Sequence, residues 1–306
     1  MDNKEKIIVV GDVILDVYSH CLPIGLSAET PTISVKHIKD ELTLGGAGLV
    51  YQNLKSLHSN VSLITASGKK DTHIFNDDNV ILIEDDKFSL TKKKRYWADN
   101  HKLLQVLDET SYDISSNTQQ RLINELLSII DDNTKLVFCD YRTGFFTKDF
   151  CEALFDSIEH INLCFIDSQC HRHEPRYEWF KGCIPIMNNQ EAEKYFHIKL
   201  DSNNDIHHLL EKINNTYPLI IKNGRHGVIG IDNGTIFTEE GLSVNAVDTC
   251  GAGDAFLASF VYNFNGDNFH ASLKFANEWA ACSTTLLGTL PVTKEYFKEK
   301  QKWNMA

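Results

Sequence analysis

Seven short runs of aliphatic and β-branched residues, at 7–10, 61–65, 136–139, 163–166, 184–187, 219–221 and 228–231, punctuate the chain. Helix-like stretches lie between them, at 47–57, 117–130, 148–158, 189–196, 206–213 and 252–263. A strand that is apolar along nearly its whole length must be covered on both faces. Such strands separated by helices therefore call for a mainly parallel sheet between two helical layers. The expected fold class is α/β, a three-layer α/β/α sandwich.

Two regions break the alternation. Residues 32–39 and 95–107 read as strands with no helix between them, and their apolar–polar alternation suits a sheet with one solvated face. They form either a small flap over the α/β body or a pair of edge strands on the main sheet. The basic run Lys92-Lys93-Lys94-Arg95 falls beside them and reads as a solvated strand edge, with phosphate handling as the alternative.

Composition narrows the function classes. The chain has 306 residues, and 30 basic against 42 acidic side chains leave a net charge of −12. Binding nucleic acid needs clustered Lys and Arg, so a nucleic-acid partner is not expected. No run approaches the ~18 apolar residues of a membrane span, and Lys4 and Lys6 precede only a short apolar stretch, unlike a secretory signal. The eight cysteines are scattered with no C-x-x-C pair, which reads as reduced thiols in the cytoplasm. His171-Arg172-His173-Glu174 lacks a zinc-type spacing and reads as a polar loop.

The strongest chemical signal is Asp248-Thr249-Cys250-Gly251-Ala252-Gly253-Asp254-Ala255-Phe256, which opens a helical pattern. Small residues admit a ligand close to the backbone, and free N–H groups at a helix start attract an anion. An Asp at that point repels a phosphate unless it takes a proton from an attacking hydroxyl. The plain alternative is an Asp capping its own helix.

This segment resembles the C-terminal signature of the ribokinase-like (PfkB) sugar kinases, and other pieces follow in family order. Gly45-Gly46-Ala47 resembles the N-terminal glycine signature that faces the sugar. Asn188-x-x-Glu191 is similar to the N-x-x-E element that positions Mg²⁺ through water. Gly224-x-x-Gly227 resembles the nucleotide-side turn, and Ala276-Asn277 the segment beside the adenine pocket. Gly11-Asp12, Asp16, Ser27-Ala28-Glu29-Thr30-Pro31 and Cys139-Asp140-Tyr141-Arg142-x-Gly144 are further similar to the kinase domain of bacterial heptose 7-phosphate kinases.

The resemblance implies a ribokinase-like fold and an ATP- and Mg²⁺-dependent sugar kinase with Asp254 as general base. Gly251, Ala252 and Gly253 would form the anion hole. Asp12, Asp16, Gly45, Gly46 and Arg95 would meet the acceptor sugar. Asn188, Lys222, Gly224, Gly227, Thr249 and Asn277 would serve the nucleotide, with Asn188 and Glu191 holding Mg²⁺ through water. Each has a plainer reading beside it: a turn for Asp12, Asp16, Gly45 and Gly46, a capping box for Asn188 and Glu191, a surface strand residue for Arg95, and solvent exposure for Lys222. The implied acceptor is D-glycero-D-manno-heptose 7-phosphate, phosphorylated at O1. Another sugar or nucleoside acceptor, or a non-catalytic kinase-fold binding protein, stays open.

Departures from the pattern also matter. Leu49 stands where the family has an Asn that touches the sugar, and Lys222 where many relatives have Thr. The length leaves no room for the adenylyltransferase domain of bifunctional members. A single kinase domain over 1–306 is expected, with lid strands from about 12–44 and 90–108. A homodimer through those lid strands is the assembly the resemblance implies. The Rossmann G-x-G-x-x-G, the Walker motif and the protein-kinase elements are all absent.

Overall fold

The computed structural model describes residues 5–99, 101–109, 112–158, 163–170, 174–213 and 217–303. The chain opens with β1 (Lys6–Gly11), β2 (Val13–Leu26) and β3 (Ile33–Gly46), then α1 (Ala47–Leu57), β4 (Val61–Ser67) and β5 (Val80–Glu84). A hairpin of β6 (Thr91–Ala98) and β7 (His101–Asp108) follows, then α2 (Ser116–Ile129), β8 (Thr134–Asp140), α3 (Lys148–Ser157), β9 (Leu163–Ser168) and β10 (Ile184–Asn188). The remainder is α4 (Asn189–Phe196), α5 (Asn203–Ile213), β11 (Leu219–Lys222), β12 (Val228–Asp232), β13 (Thr235–Glu239), α6 (Ala252–Asn263), α7 (Phe269–Ser283) and α8 (Lys294–Trp303).

Nine strands form the main sheet in the order β13-β12-β11-β10-β9-β8-β1-β4-β5. All pairings are parallel except β11–β12 and β12–β13, which are antiparallel. The seven apolar runs all lie within strands of this sheet, and Ile7, Ile8, Val9, Leu136, Val137 and Phe138 are buried. The sequence order runs outward in both directions from β1 and β8. That is the switch point at which ligands collect beyond the carboxyl ends of parallel strands. Gly11, Asp140, Ser168, Asn188 and Lys222 are the last residues of β1, β8, β9, β10 and β11.

The second sheet is the flap. Its four strands run in the order β3-β2-β6-β7, separate from the main sheet. The strand expected at 32–39 extends over Ile33–Gly46, and the segment at 95–107 is the β6–β7 hairpin. The basic run Lys92-Lys93-Lys94-Arg95 lies in an interior strand, between β2 and β7, and is not an edge. β2 leaves β1 after the single residue Asp12, so the flap grows directly out of the carboxyl edge of the main sheet.

Cysteine usage differs from expectation at one pair. Cys164 and Cys183 form a disulfide, with their Cα atoms 4.5 Å apart. The reason is topological. Cys164 lies on β9 and Cys183 enters β10, and these strands are neighbours although no spacing motif links the two residues. The other six cysteines are free. No described helix is long and apolar enough to cross a membrane. Residues 171–173 of the histidine-rich loop lie outside the described residues.

Aromatic packing braces β8, the strand beside β1. Phe146 makes edge or stacked contacts with Phe138, Phe145, Phe150 and Phe180, all buried. Truncating it leaves a cavity that four rings cannot close together. Phe146→Ala is expected to lower stability by about 3–5 kcal/mol, read as a reduced midpoint in urea unfolding at unchanged slope.

Candidate active site

A cavity of about 570 Å³ opens between the carboxyl edge of the main sheet and the flap. Its lining joins Asp16, Lys93 and Arg95 from the flap with Gly46 at the start of α1, Asn188 and Lys222 from strand ends, and Thr249–Asp254. Gly224, Gly227, Asn277, Ala280 and Ala281 line it as well. Gly45, Asp12 and Glu191 are expected site residues that do not reach the lining.

Two helices start in this cavity without a side-chain cap. α1 begins at Gly46 (φ 62°) and α6 at Gly251 (φ 82°), both in the left-handed region. By contrast Ser115, Thr147 and Asn188 cap α2, α3 and α4 with their side chains. In α6 the first full helical bond runs from Ala255 N–H to Gly251 O, so the N–H groups of Gly253 and Asp254 precede the ladder. The Ala252 N–H instead donates to Thr249 O at 3.3 Å. Of the expected Gly251–Gly253 set, the Ala252 N–H is therefore engaged within the loop, while the N–H groups of Gly253 and Asp254 lie ahead of the helical ladder.

Asp254 opens onto the cavity yet lies deep, and burial pushes its carboxyl up to about 7. Asp167 and Asp16 add to the rise, while a hydrogen bond from the Tyr141 hydroxyl and the charge of Lys222 oppose it. Lys222 does not point to solvent. Its Nζ is 2.7 Å from Asp167 Oδ2 and 3.4 Å from the position a Cβ on Gly253 would take. Burial by itself disfavours its charged form. Asp167 and Glu191 more than offset that, and its pKa is raised. One buried ammonium therefore stands beside the glycine loop.

On the flap side of the cavity, Asp16 accepts a hydrogen bond from Arg95 Nη1 at 2.5 Å, and both are buried. Arg95 is thus not a surface strand residue. It lies 5.3 Å over the Tyr18 ring, and its Nε has no partner. Gly45 serves this pair from behind. A Cβ there would sit 2.4 Å from Asp16 Oδ2.

Asp12 occupies a different place from the one expected. It is buried beneath the cavity wall, where its carboxylate accepts from Tyr141 N–H (2.7 Å), Thr143 Oγ1 (2.6 Å) and Phe145 N–H (3.2 Å). A residue whose acceptors are committed to its own chain holds a loop and does not meet a substrate. Burial, helped by Asp140, pushes its carboxyl up to about 7.

Asn188 and Glu191 form the capping box of α4. Glu191 accepts from Asn188 N–H (2.7 Å), Asn188 Nδ2 (2.5 Å) and Tyr177 Oη (3.2 Å). It is fully buried behind Asn188, and burial followed by Asp167 pushes it up to about 8. Only Asn188 of the pair lines the cavity. Among the described residues no three His, Cys, Asp or Glu side chains cluster as a metal cage. The oxygen donors fit a hard cation that keeps its waters and rides on phosphates, and they do not fit a dedicated metal site.

Gly224–His226, beside the cavity, forms a short 3₁₀ turn closed by Gly227 (φ 92°). A Cβ on Gly227 would sit 2.0 Å from Glu239 O. Asn277 donates to Glu240 O at 2.7 Å, fixing the segment that follows β13 against α7. Leu49 is buried and packs under Gly251, where its Cδ2 is 2.5 Å from the position of a Cβ. Its side chain supports the Gly251 turn and does not line the cavity. Sequence reasoning missed Tyr141 and Asp167. Tyr141 follows β8 and Asp167 is the penultimate residue of β9, and those positions at the ends of buried strands were their available signal.

The geometry defines a ribokinase-like α/β kinase fold. Phosphofructokinase-2 from Escherichia coli in complex with potassium superposes with a TM-score of 0.78 at 15% identity, covering 99% of this chain and 100% of that one. Ribokinase of Arabidopsis thaliana complexed with ribose and ATP gives 0.70 at 15%, covering 96% and 98%. Residues 183–294 match the model of the pfkB family carbohydrate kinases. The bifunctional protein HldE of Nitratiruptor sp. is 28% identical over 317 residues, which is 98% of this chain and 65% of that protein. HldE of Campylobacter jejuni subsp. doylei is 26% identical, over 96% and 64%. The chain thus spans under two thirds of the length of these curated relatives.

The raised carboxyls make stability depend on pH in a stated direction. Asp12, Asp254 and Glu191 hold protons more tightly folded than unfolded, so the folded state loses stability as pH rises from about 4 through 7–8. The urea midpoint is expected to be lower at pH 8 than at pH 6. Asp254→Asn should lose less over that window and be at least as stable as the parent at pH 8.

Proposed function

We propose that the chain is an ATP-dependent kinase that transfers the γ-phosphoryl group to a hydroxyl of a sugar or sugar phosphate. D-glycero-D-manno-heptose 7-phosphate is the proposed acceptor, giving the 1,7-bisphosphate. The observation that carries this reading is the place of Asp254: at the uncapped start of α6, in one cavity with Asp16 and Arg95. The acceptor O–H gives its proton to Asp254. Its oxygen bonds to the γ-phosphorus as the bond to the ADP oxygen breaks. A carboxyl near 7 suits that exchange close to neutral pH. The N–H groups of Gly253 and Asp254 face the phosphoryl oxygens, and the Lys222 ammonium adds charge beside them. Mg²⁺ bound to the nucleotide would supply charge neutralisation, with Asn188 reaching it through water and Glu191 holding Asn188 in place. Gly224, Gly227, Thr249 and Asn277 would receive the nucleotide.

The heptose phosphate assignment draws on the motifs at Gly11-Asp12 and Cys139–Arg142, on the relatives named HldE, and on Lys93 and Arg95. Two cations at the sugar end suit an acceptor that already carries a phosphate. Initial-rate ADP release with heptose 7-phosphate should exceed that with ribose, fructose or adenosine, and ³¹P NMR should place the new phosphate on O1. ATP binding with no ADP released from any acceptor would instead mark a non-catalytic binding protein. Asp254→Asn should lower turnover by about 10²–10⁴-fold with the fold intact.

We infer a homodimer through the flap. Leu22, Ile24, Leu26, Ile33, Leu104 and Val106 are large apolar residues left exposed on its strands, a concentration that solvent disfavours. Charge at the patch is expected to break the pairing: Ile24→Glu with Leu104→Lys should sediment at half the parent mass. A parent that already sediments as a monomer at micromolar concentration refutes the interface. A cytoplasmic location accompanies this reading, since ATP is the donor.

A further inference from the structure

Tyr141 follows β8 directly, and its position is dictated from both ends of a short loop. The Asp12 carboxylate takes the N–H groups of Tyr141 and Phe145 and the hydroxyl of Thr143. Arg142 adopts a left-handed backbone (φ 63°), with its N–H on Asp140 Oδ1 at 3.1 Å, and Gly144 completes the turn at φ 100°. From this clamp the Tyr141 ring passes beneath the start of α1. Its Cδ2 lies 3.3 Å from the position a Cβ on Gly46 would occupy. The hydroxyl then donates to Asp254 Oδ1.

We propose that Tyr141 is the positioning residue of the catalytic base: by holding Oδ1 of Asp254 it turns the other carboxylate oxygen to the acceptor hydroxyl, and it stabilises the ionised form that must accept the proton. This rests on the reading of Asp254 as the base. The charges around Asp254 show why such a donor is needed. Asp167 on β9 and Asp16 on β2 face it and disfavour ionisation, and the Cys139 thiol on β8 is buried close by. Lys222 on β11 is the cation on its favourable side, and its Nζ is already engaged by Asp167 at 2.7 Å. A neutral donor offsets burial without adding a charge that would compete for the phosphoryl group. Burial and the carboxylates facing it keep the Tyr141 hydroxyl protonated, so it remains a donor throughout the working range.

The test is Tyr141→Phe, which keeps the ring and removes only the hydroxyl. The acid limb of kcat should move to higher pH by about one unit, because a hydrogen bond to an ionised group is lost. Turnover at pH 6.5 then falls about tenfold, and the deficit shrinks to a few-fold above pH 8.5, with the KM for ATP unchanged. A second readout needs no substrate. In protein carrying ¹³C-labelled aspartate, the carboxyl resonance that disappears in Asp254→Asn should titrate higher in Tyr141→Phe than in the parent. An unmoved carboxyl midpoint, or a loss of turnover equal at every pH, would show that Tyr141 only packs, and would overturn the proposal. Near-normal turnover of Asp254→Asn is a separate outcome that removes the base assignment itself.

Discussion

Every polar group of Asp12 is spent on holding three segments together. Its N–H donates to Cys139 O at 3.1 Å, its carbonyl accepts from Ala47 N–H at 2.9 Å, and its carboxylate gathers the loop after β8. One buried residue therefore joins the end of β1, the start of α1 and the segment that carries Tyr141. A buried carboxylate without such donors is costly, and breaking one partner of a satisfied network costs more than the bond itself. Gly11 permits the arrangement: at φ 152°, a Cβ would sit 2.2 Å from Cys139 O. The flap depends on the same point, because β2 begins at the next residue.

The two helix starts on the cavity illustrate stability yielded to function. An N-cap side chain contributes about 0.5–2 kcal/mol, and α2, α3 and α4 each have one. α1 and α6 have glycine instead, both at positive φ, and at α6 the N–H groups of Gly253 and Asp254 precede the helical ladder beside the cavity. The raised carboxyls of Asp254 and Glu191 run in the same direction. Both would be more comfortable neutral, and both are kept beside Lys222, whose charge is itself held against burial. Strain of this kind, gathered at the carboxyl edge of a sheet that is otherwise apolar, marks the place where a ligand supplies the missing partners.

The α/β body was legible because its signals are local. Apolar runs at 7–10 and 136–139 can only be doubly covered strands, and the Gly251–Asp254 start of α6 is visible in composition alone. The flap was legible in part. β2 falls within the lid stretch expected over about 12–44, but its bounds were not legible because Val13–Leu26 mixes buried and exposed residues along one strand, with Pro23 and Gly25 near its bulge. Roles that depend on orientation were not legible. Nothing local says that Asp12 turns inward while Asp16 turns to the cavity, since both follow the same strand four residues apart. The Lys222–Asp167 pair spans 55 residues and two strands, and the Cys164–Cys183 bridge depends on β9 lying beside β10. Such contacts exist only once the sheet order does.

The net charge of −12 gains meaning in that frame. A chain this acidic repels polyphosphates at long range, so attraction has to be built over a few ångströms. The cavity does this with a division of labour. Lys93 and Arg95 line it from the flap and Lys222 from a strand end, and the uncapped start of α6 adds uncharged N–H groups. Each of the two buried cations is tied to a carboxylate, Arg95 to Asp16 and Lys222 to Asp167, which fixes its position and tempers its field. A free ammonium at the centre would bind the anion more tightly but would also hold the carboxylate of Asp254 as a salt bridge. Pairing Lys222 with Asp167 keeps Asp254 available to exchange a proton, as the proposed role of general base requires.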